Sequence, residues 1–583
     1  MSAKYVDRSS KEHVMSDSIV YGAAGFLGRA AVARLLEQGH SVTAALRAGS
    51  EERLTSWLRR RGVDSGALEI VACDVTAPDL GLPAGFDPSG IRDVYNCAAR
   101  FAFGLAREDA YAVNVTGAVR VLEWAAALPD LRRVVHITGY RITVEESEEQ
   151  HYEKGAYGAS KFESDPLLRR RAAELGVALT IANPSSVIGP GQYVGLAAVV
   201  EQLWNGRLAA VPGGAETFVP IVDLDYFTDF LISLPALPDT AGRSYTVLDD
   251  RTPVLPELIR LLAGHMGVRA PRFSIPVAVI SKLPRALTGA DPESLTFIAD
   301  DRYDTSAAQD VARRAGLTMP PTEATLLAWA DHLVASRFGA VADDPTAGFA
   351  DGVWVSGERQ RPAYVLVHGL PLDGESWHAV RAELDGPSLA VDLPGLGRSA
   401  PGDHDAVLPK SLSSVRTRPV LVGHSLGCGP VLRYAAEHPE RVSGVVLVAP
   451  AFLQPRSGLL LRSPLMTAAM RRMPAAALAK RLGVPDGAAI ASAAANLRRP
   501  GAAARTVAAL RRASAPARRA ELRELLERIE VPVRIVTGSA DPLTVTTPRD
   551  SVAIEGAGHY PQLTHPARVA AELARMSTVG ARG

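Results

Sequence analysis

At 583 residues the chain is too long for a single hydrophobic core, and its length predicts two or three domains. Apolar residues make up 47% of the sequence and charged residues 22%, as is usual for soluble globular proteins. Basic and acidic side chains number 63 each, so the formal net charge is zero. This balance argues against nucleic acid or an anionic membrane as the partner.

Cysteine usage and hydropathy predict the compartment. Cys73, Cys97 and Cys428 stand in apolar runs without paired spacing, which predicts buried free thiols rather than disulfides or a metal site. The polar start, MSAKYVDRSSKEHVMSDS, lacks the apolar segment of a signal peptide, and no stretch has the apolar length of a transmembrane helix. We therefore expect a soluble, cytoplasmic protein with a flexible tail over residues 1–17.

The first half of the chain alternates buried strand patterns with amphipathic helix patterns. Between Ser18 and about Ser185 the strand patterns are SIVYG, SVTAAL, LEIVAC, DVYNCAA, RVVHIT and ALTIAN. This alternation predicts an α/β fold with a doubly wound parallel sheet. Residues 186–340 mix helices with short strands, and we expect them to form a small substrate lobe that completes a first domain at 18–340.

A second α/β pattern follows a seam in the chain. The segment FGAVADDPTAGFADG is rich in Gly, Ala, Asp and Pro, and we place a linker at 341–352. GVWVSG, AYVLVHG, SLAVDLPG, PVLVGHS, GVVLVAP and VPVRIVTGS then predict a second domain at 353–583. Over about 452–527 the strand patterns give way to Ala-, Arg- and Leu-rich sequence that predicts a helical cap. Its arginines are typical of a solvated face, and contact with a phosphopantetheine or coenzyme A tail is the alternative.

The loop VYGAAGFLGRA is the first candidate for a binding site. Gly22, Gly25 and Gly28 follow a strand directly and begin a helix, where a Rossmann site needs a tight turn and close backbone approach to a pyrophosphate. A glycine triplet alone is weak, and an ordinary βα turn is the alternative. Arg47 ends the second strand where NAD sites usually carry an acid, which favours NADP over NAD. Asp74, after the third strand, is expected to accept from the adenine amino group.

The segment YGASK indicates proton-transfer chemistry. Tyr157 and Lys161 are four residues apart, so they share one face of a helix. A phenol has an ordinary pKa of about 10 and becomes an effective base only when a nearby ammonium stabilises its anion. A tyrosine and a lysine on a plain surface helix are the alternative.

These residues resemble the extended short-chain dehydrogenase/reductase superfamily from about Ser18 to Val334. The likeness includes YNCAA, VNVTGAV with Asn114, ANPSSVIGPG and FVPIVDLDYFTDFL. It implies that Tyr157 is the general acid or base, that Lys161 is its partner, and that Asn114 organises a proton relay. Lys161 is expected to hold the nicotinamide ribose as well, and further cofactor contacts are expected from Phe26, Leu27, Val75, Ala98 and Pro184.

One motif departs from that superfamily, in which a Ser or Thr hydroxyl after the fifth strand lies beside the substrate oxygen. Here HITGYRI offers Thr138, and the next position, often Ser, is Gly139, so Thr138 fills the role or the role is weakened. AARFAFG and PVAVISKLPRAL are more similar to carbonyl or thioester reductase-like and sterol dehydrogenase-like members than to sugar-nucleotide epimerases. Phe101 and Phe103 then line an apolar substrate channel or belong to the core.

The segment LVGHSLGCG raises the question of a second active site. It places Ser425 between a strand pattern and a helix pattern, the corner that a nucleophile elbow requires, although G-x-S-x-G alone is a weak signal. Gly423 and Gly427 leave room for a strained turn. Asp541 follows the strand pattern VPVRIVTGS, and His559 lies in EGAGHYPQLTHP. A triad in the order Ser, Asp, His is predicted.

This half resembles the α/β-hydrolase family from about Gly352 to the end. VLVHGLPLDGESW and VDLPGLGRS are similar to two of its loops, which implies an oxyanion hole from the backbone N–H groups of Leu370 and Leu426. A serine nucleophile implies ester, thioester or lactone hydrolysis rather than the aspartate-based dehalogenase and epoxide hydrolase chemistries. His424 and Cys428 are interpreted as packing residues.

Together the two halves predict a bifunctional enzyme. We expect an NADP(H)-dependent carbonyl reductase or alcohol dehydrogenase joined to a serine ester or thioester hydrolase, acting on acyl, lipid or polyketide-like intermediates. The alternatives are a thioester reductase with an editing or releasing thioesterase, an NAD-dependent epimerase or dehydratase with a hydrolase, and a non-catalytic cofactor-binding scaffold. The expected partner is a small acyl or carbonyl substrate, free or linked to coenzyme A or a carrier protein. No bound metal is expected, and a homodimer is left open.

Overall fold

The computed structural model describes residues 17–102, 104–139, 152, 155–282, 292–455, 464–543 and 551–580. Most of the predicted tail therefore lies outside the described residues. The chain divides into two compact units. The first comprises Met1–Val199, Ala210–Ile259 and Pro271–Trp329, and the second comprises Val200–Ala209, Arg260–Ala270 and Ala330–Gly583.

A parallel sheet forms the core of the first unit. The strands before residue 340 are β1 (Ser18–Tyr21), β2 (Val42–Leu46), β3 (Leu68–Ala72), β4 (Asp93–Asn96), β5 (Arg133–Ile137), β6 (Leu179–Pro184), β7 (Ser186–Ile188), β8 (Val211–Pro212), β9 (Ile221–Asp223), β10 (Ser244–Val247) and β11 (Ser274–Ile275). Seven of these described strands pair in the order β10-β6-β5-β4-β1-β2-β3, all parallel. The doubly wound sheet is confirmed, and its switch point lies between β1 and β4, where such sheets bind ligands.

Helices cover both faces of this sheet, which is why its strands are apolar on both sides. The helices before residue 340 are α1 (Phe26–Glu37), α2 (Glu51–Arg61), α3 (Arg107–Tyr111), α4 (Ala118–Ala126), α5 (Ala156–Leu175), α6 (Leu196–Trp204), α7 (Leu224–Ser233), α8 (Leu255–His265), α9 (Val277–Ile280), α10 (Pro292–Leu295), α11 (Ser306–Arg314) and α12 (Thr322–Ala335). Side chains of α1, α2 and α7 fill the core on one face, and those of α4 and α5 fill the core on the other. The short pairs β7–β9 and β8–β11 lie in the predicted lobe.

The second unit contains a mixed sheet. Its strands are β12 (Gly348–Ala350), β13 (Val353–Gly357), β14 (Tyr364–Val367), β15 (Ser388–Val391), β16 (Val420–His424), β17 (Gly444–Val448), β18 (Val533–Gly538) and β19 (Ser551–Ile554). Eight described strands pair in the order β12-β13-β15-β14-β16-β17-β18-β19. The pairs β12–β13 and β13–β15 are antiparallel, and the others are parallel. The second α/β pattern is thereby confirmed.

The α-helices described after residue 340 include five in the segment that was predicted to form a cap. They are α13 (His378–Ala382), α14 (Val407–Ser411), α15 (Cys428–Glu437), α16 (Pro464–Arg472), α17 (Ala475–Leu482), α18 (Ala488–Arg498), α19 (Ala502–Ala513), α20 (Pro516–Arg528), α21 (Pro561–Thr564) and α22 (Pro566–Gly580). The cap helices α16 to α20 lie between β17 and β18. Leu372 and Tyr560 join an apolar cluster with Ile490 and Leu497 of the cap.

Two predictions about cysteines and membranes can be compared with the structure. Cys73 and Cys428 are buried, Cys97 is partly buried, and all three are free thiols. Within the described ranges, no helix has the length and hydropathy needed to cross a bilayer.

Candidate active sites

Each glycine of the first loop meets a different steric requirement. Gly22 has a φ of 72°, and a Cβ there would lie 2.7 Å from Ala98 Cα. A Cβ on Gly25 would lie 3.0 Å from the carbonyl oxygen of Gly22, and one on Gly28 would lie 2.2 Å from the same oxygen. The loop therefore brings the backbone of β1, the start of α1 and the segment after β4 into close contact. Side chains at the three glycine positions would prevent this contact.

The start of α1 fits the pyrophosphate of a dinucleotide. Gly25 is the N-cap, no side chain caps the helix, and the first turn carries no acidic residue. The unpaired N–H groups and the positive end of the helix dipole favour an anion at this position. Phe26 and Leu27, which were predicted to contact the cofactor, are the first two residues of this helix.

The predicted adenosine contacts lie at the carboxyl ends of β2 and β3. Arg47 follows β2 and is exposed. Asp74 Oδ1 accepts hydrogen bonds from the backbone N–H of Thr76 at 2.9 Å and from its hydroxyl at 2.7 Å. These bonds, together with the charges of Arg47 and Arg120, lower the pKa of Asp74. Val75 is buried beside Asp74, at the edge where the adenine was expected.

Tyr157 and Lys161 lie one turn apart near the start of α5. Lys161 is buried, and its Nζ donates to the carbonyl oxygen of Ile137 at 2.9 Å. Burial lowers the pKa of Lys161 to about 8, because desolvation disfavours the ammonium. Burial also raises the pKa of Tyr157 to about 12, with a further contribution from the carboxylate of Glu293. Phe101 stands against the Tyr157 ring with centroids 4.7 Å apart, whereas Phe103 lies outside the described residues.

Glu293 is a residue that the motifs did not single out. It is only 4% exposed, and its Oε1 accepts from the backbone N–H of Tyr157 at 2.9 Å. Its Oε2 accepts from the N–H of Gly104 at 2.9 Å. A Cβ on Gly155 would lie 2.2 Å from Glu293 Cγ, so the glycine admits the carboxylate. Since α10 is 136 positions away in the chain, no local pattern could have identified this contact.

Asn114 lies in a π-helical segment, Ala112–Gly117, between α3 and α4. Its Nδ2 donates to Ser160 Oγ at 2.9 Å, and Ser160 Oγ donates to the carbonyl oxygen of Tyr157 at 2.8 Å. Its Oδ1 accepts from the N–H of Arg100 at 2.8 Å. π-Helical turns are frequent at functional sites. The structure therefore connects Asn114 to the Tyr157 turn through Ser160, a residue that the sequence analysis did not name.

The hydroxyl of Thr138 is directed at another side chain. Thr138 is 3% exposed and follows β5, and its Oγ1 donates to Asn183 Oδ1. Asn183 Nδ2 in turn donates to Ser244 Oγ at 2.9 Å. These two hydrogen bonds connect the residue after β5 with β6, and β6 with β10. Pro184, assigned as a cofactor contact, ends β6 immediately after Asn183.

Ser425 occupies a strained turn between β16 and α15. Its φ is 48°, a conformation that side-chain-bearing residues rarely adopt and that is typical of a nucleophile elbow. A Cβ on Gly423 would lie 2.7 Å from Cys428 Cα, and one on Gly427 would lie 2.6 Å from the carbonyl oxygen of His368. Both glycines are thus required for the turn.

The structure brings the three predicted triad residues together. His559 Nε2 lies 3.2 Å from Ser425 Oγ, and His559 Nδ1 lies 3.1 Å from Asp541 Oδ2. The side chain of Asp541 is fully buried and that of His559 is 12% exposed. The N–H of Leu543 donates to Asp541 Oδ1 at 2.9 Å. This is the geometry in which a histidine accepts a serine proton while a carboxylate orients the ring.

The predicted oxyanion loop lies beside the serine. A Cβ on Gly369 would be 2.7 Å from Ser425 Cβ, so the backbone of this loop approaches the elbow closely. Tyr560 donates its hydroxyl to the carbonyl oxygen of Leu370 at 3.1 Å. Leu426 immediately follows the serine in a short 3-10 turn, Ser425–Gly427.

His424 and Cys428, on either side of the nucleophile turn, donate hydrogen bonds to backbone carbonyl oxygens of the site. His424 Nε2 donates to the carbonyl oxygen of His559 at 2.9 Å, and burial lowers the pKa of His424 to about 3. Cys428 Sγ donates to the carbonyl oxygen of Gly423 at 3.1 Å, and burial raises the pKa of this thiol well above its usual range. A neutral imidazole and a protonated thiol suit the packing role assigned to them.

Gln454 and Arg519 also lie at this site, although no motif predicted them. Gln454 Nε2 lies 3.2 Å from Asp541 Oδ2, and Arg519 on α20 donates to the carbonyl oxygen of Gln454. A lone glutamine after a strand carries no recognisable signal, and Arg519 is one of many arginines in the cap.

Two family models match the chain, one in each half. A model described as the NAD dependent epimerase/dehydratase family matches residues 18–216, and one described as the alpha/beta hydrolase family matches residues 364–572. The matches contain the glycine loop and Tyr157 in the first half and the Ser425, Asp541 and His559 constellation in the second.

Curated relatives resemble either half. A UDP-glucose 4-epimerase of Mycolicibacterium smegmatis is 29% identical over 268 residues, which cover 43% of this chain and 82% of that protein. An NRPS-like oxidoreductase of Fusarium equiseti, fscA, is 26% identical over 203 residues, covering 32% of this chain and 20% of that protein.

A third relative resembles the second half. A pimeloyl-[acyl-carrier protein] methyl ester esterase of Salmonella heidelberg is 37% identical over 90 residues, covering 15% of this chain and 35% of that protein. The matches thus span about a fifth of the oxidoreductase and about a third of the esterase. The chain joins a domain of the NAD-dependent epimerase/dehydratase family to a domain of the α/β-hydrolase family.

Proposed function

We propose that the chain is a bifunctional enzyme in which an NADP(H)-dependent reductase or dehydrogenase is joined to a serine ester or thioester hydrolase. The hydrolase rests on the contacts from Ser425 to His559 at 3.2 Å and from His559 to Asp541 at 3.1 Å. The reductase rests on Tyr157 and Lys161, which lie one turn apart on α5, with Lys161 bonded to the carbonyl oxygen of Ile137 at the carboxyl end of β5.

In the reductase, Tyr157 donates a proton to a carbonyl oxygen. Its phenol is protonated at neutral pH, and burial and Glu293 favour that form further by raising its pKa from 10.0 to about 12. Lys161, with a pKa lowered to about 8, still carries its charge at pH 7 and stabilises the tyrosinate that remains after transfer. A nicotinamide cofactor, when bound, would supply the hydride. Asn114 holds the Tyr157 turn in place through Ser160.

Arg47 supports NADP as the preferred cofactor. Its exposed guanidinium follows β2, where it can pair with a 2′-phosphate, and its charge also reaches Asp74. Arg47→Ala is expected to weaken NADPH binding at least tenfold and to leave NADH binding unchanged, as measured by nicotinamide fluorescence. Equal weakening of both would contradict the assignment.

In the hydrolase, Ser425 attacks the acyl carbon and His559 receives its proton. The backbone N–H groups of Leu370 and Leu426 stabilise the developing oxyanion, a contribution of about 3–4 kcal/mol for one donor in other enzymes. The bond to the leaving alcohol or thiol then breaks as His559 returns the proton to it, and the acyl-enzyme that remains is hydrolysed by water that His559 activates. Asp541, fully buried, holds the imidazole in the required tautomer.

The cap supports a substrate with an apolar acyl chain and an anionic carrier. Its helices contribute to an apolar cluster with Leu372 and Tyr560, which flank the triad. Between Pro464 and Arg528, basic residues outnumber acidic ones by thirteen to four, although the whole chain is neutral. The name of the esterase relative, which acts on an acyl-carrier protein ester, agrees with such a substrate. Coenzyme A or carrier-protein thioesters are therefore the substrates to test first.

A thioester reductase is the second candidate for the first unit. The relative named as an NRPS-like oxidoreductase favours it, as does a hydrolase on the same chain that accepts the same class of acyl group. In that case both units compete for one thioester: reduction yields an aldehyde or alcohol, and hydrolysis yields the free acid. An epimerase, favoured by the UDP-glucose 4-epimerase relative, would show no net consumption of cofactor.

Product analysis by mass spectrometry separates these candidates. A panel of acyl thioesters, ketones and secondary alcohols is offered with and without NADPH to the wild type, Tyr157→Phe and Ser425→Ala. An NADPH-dependent aldehyde or alcohol from a thioester, lost in Tyr157→Phe, identifies a thioester reductase. Reduction of ketones alone identifies a carbonyl reductase, and free acid lost only in Ser425→Ala identifies the hydrolase. Turnover by none of these routes, with no labelling of Ser425 by a fluorophosphonate, would refute the proposal.

A further inference from the structure

The side chain of Gln454 contacts the acidic end of the triad. Gln454 follows a short turn, Ala451–Leu453, after β17 and is 8% exposed. Its Nε2 lies 3.2 Å from Asp541 Oδ2, the oxygen that His559 Nδ1 also contacts. The same Nε2 lies 3.3 Å from the carbonyl oxygen of Ala449 and 3.1 Å from His559 Nδ1.

These neighbours determine which way the amide faces. An amide nitrogen has two N–H donors, and it has two oxygen acceptors here, on Asp541 and Ala449. The opposite orientation would place Oε1 against a carboxylate oxygen and a carbonyl oxygen, which repel it. The proton of His559 Nδ1 remains directed at Asp541, so the amide adds a second donor to the same carboxylate oxygen.

The backbone of Gln454 is itself held by the cap. Arg519 on α20 is 7% exposed, and its Nη1 donates to the carbonyl oxygen of Ala451 at 3.0 Å. Its Nη2 donates to the carbonyl oxygen of Gln454. The planar guanidinium spans both ends of the turn, which a single ammonium could not do. Movement of α20 would therefore move the amide that contacts Asp541.

We propose that Gln454 is a positioning residue for Asp541 and His559, and that Arg519 couples its placement to the cap helix α20. The inference rests on the proposed hydrolase function. A donor on Asp541 Oδ2 limits rotation of the carboxylate and keeps it an acceptor for His559, so the imidazole retains the tautomer that receives the Ser425 proton. A substrate that contacts α20 would change the position of Asp541 and His559 through Arg519 and Gln454.

The charged and titratable groups around His559 determine how a substitution at Gln454 would affect the protonation of the imidazole. Asp541 lies against Nδ1, the ring of His424 packs at a centroid distance of 5.2 Å, and the ring of Tyr560 packs at 4.9 Å. His424, with its pKa lowered to about 3, stays neutral in the working range. Gln454→Glu would therefore place a second carboxylate beside Asp541; among the described residues, a protonated His559 and the guanidinium of Arg519, which contacts the carbonyl oxygen of Gln454, are the cations near it.

The test uses the full chain, p-nitrophenyl butyrate as substrate and a fluorophosphonate as a probe of Ser425. We expect Gln454→Leu to lower kcat by about tenfold or more, because orientation of the base is degraded and base catalysis contributes about 10²–10⁴-fold. KM should change less than twofold. The second-order rate of fluorophosphonate labelling should fall in parallel, since labelling needs the same activated serine.

Two further variants separate positioning from loss of structure. Gln454→Glu keeps the side-chain shape, and the acidic limb of its pH–rate profile should move to higher pH because the added charge favours the protonated imidazole. Arg519→Lys should lower kcat severalfold, whereas Arg523→Lys, an exposed arginine on the same helix, should not.

The outcomes are distinguishable from failure of the proposed function. If the wild type neither hydrolyses the ester nor labels at Ser425, the hydrolase function and this inference are both refuted. If the wild type reacts and Ser425→Ala does not, but Gln454→Leu retains the wild-type kcat, only the positioning role is refuted. An unmoved acidic limb in Gln454→Glu with an unchanged melting temperature would also overturn it.

Discussion

The buried carboxylate of Glu293 should control the proton donor of the reductase. The substitution Glu293→Gln removes this charge and keeps the shape of the side chain. The amide oxygen remains as one acceptor for the N–H of Tyr157. The pKa of Tyr157 is raised from 10.0 to about 12, and burial is the larger of the two causes. The carboxylate therefore accounts for less than half of that rise, which is under about tenfold in the ionisation equilibrium of the phenol.

The sign follows from the charge. A nearby anion disfavours tyrosinate, so its removal lowers the pKa of Tyr157. Carbonyl reduction needs the protonated phenol and a charged Lys161, so the rate should fall in two steps as pH rises, first through the pKa of Lys161 at about 8 and then through that of Tyr157. The second, higher basic limb of the NADPH-dependent rate should accordingly move to lower pH in Glu293→Gln, by less than about one pH unit.

The assay is the initial rate of NADPH consumption from pH 7 to 12 with whichever carbonyl substrate proves active, and the limb of Tyr157 is the higher of the two. Glu216→Gln, which removes an exposed carboxylate from the same lobe, is the matched control and should leave the limb in place. Calorimetry verifies that both variants are folded. A basic limb that stays in place or moves to higher pH in folded Glu293→Gln would refute the electrostatic role of this residue.

Three other substitutions test the loop, the triad and the core. Gly28→Ala should abolish detectable NADPH fluorescence binding, since its Cβ would lie 2.2 Å from a backbone oxygen, whereas Gly264→Ala, with nothing within 4 Å, should bind NADPH normally. Asp541→Asn should lower the kcat of ester hydrolysis by about 10⁴-fold, the effect known for loss of the triad carboxylate; a decrease below tenfold would argue against the triad. Leu366→Ala, at a fully buried position in β14, should destabilise the second unit by about 2–5 kcal/mol in urea unfolding. Leu465→Ala, at a position 75% exposed, should stay within about 0.5 kcal/mol of the wild type.

The sequence by itself determined both folds and pointed to two candidate active sites. Strand patterns such as RVVHIT and PVLVGHS are buried on both faces, so they are largely apolar and lack the regular polar alternation of a half-buried strand, as is typical of a parallel sheet. Gly22, Gly28, Gly423 and Gly427 were recognisable because each stands where a Cβ would collide with backbone, a requirement that leaves a fixed spacing in the chain. Ser425 could be identified because it lies between two of these glycines, Gly423 and Gly427, in the turn between a strand and a helix.

Only the tertiary structure decided which side chains support these motifs. Glu293 reaches the Tyr157 turn from 136 positions away, and Gln454 reaches Asp541 across 87 positions. The number of residues that separates each pair in the chain depends on the lengths of the intervening helices and loops. No local sequence pattern predicts those lengths. The hydroxyl of Thr138, assigned from its position in a motif, is directed by the fold at Asn183. Periodicity and turn geometry arise between neighbours in the chain, whereas hydrogen bonds between distant buried groups arise only when the domain is assembled.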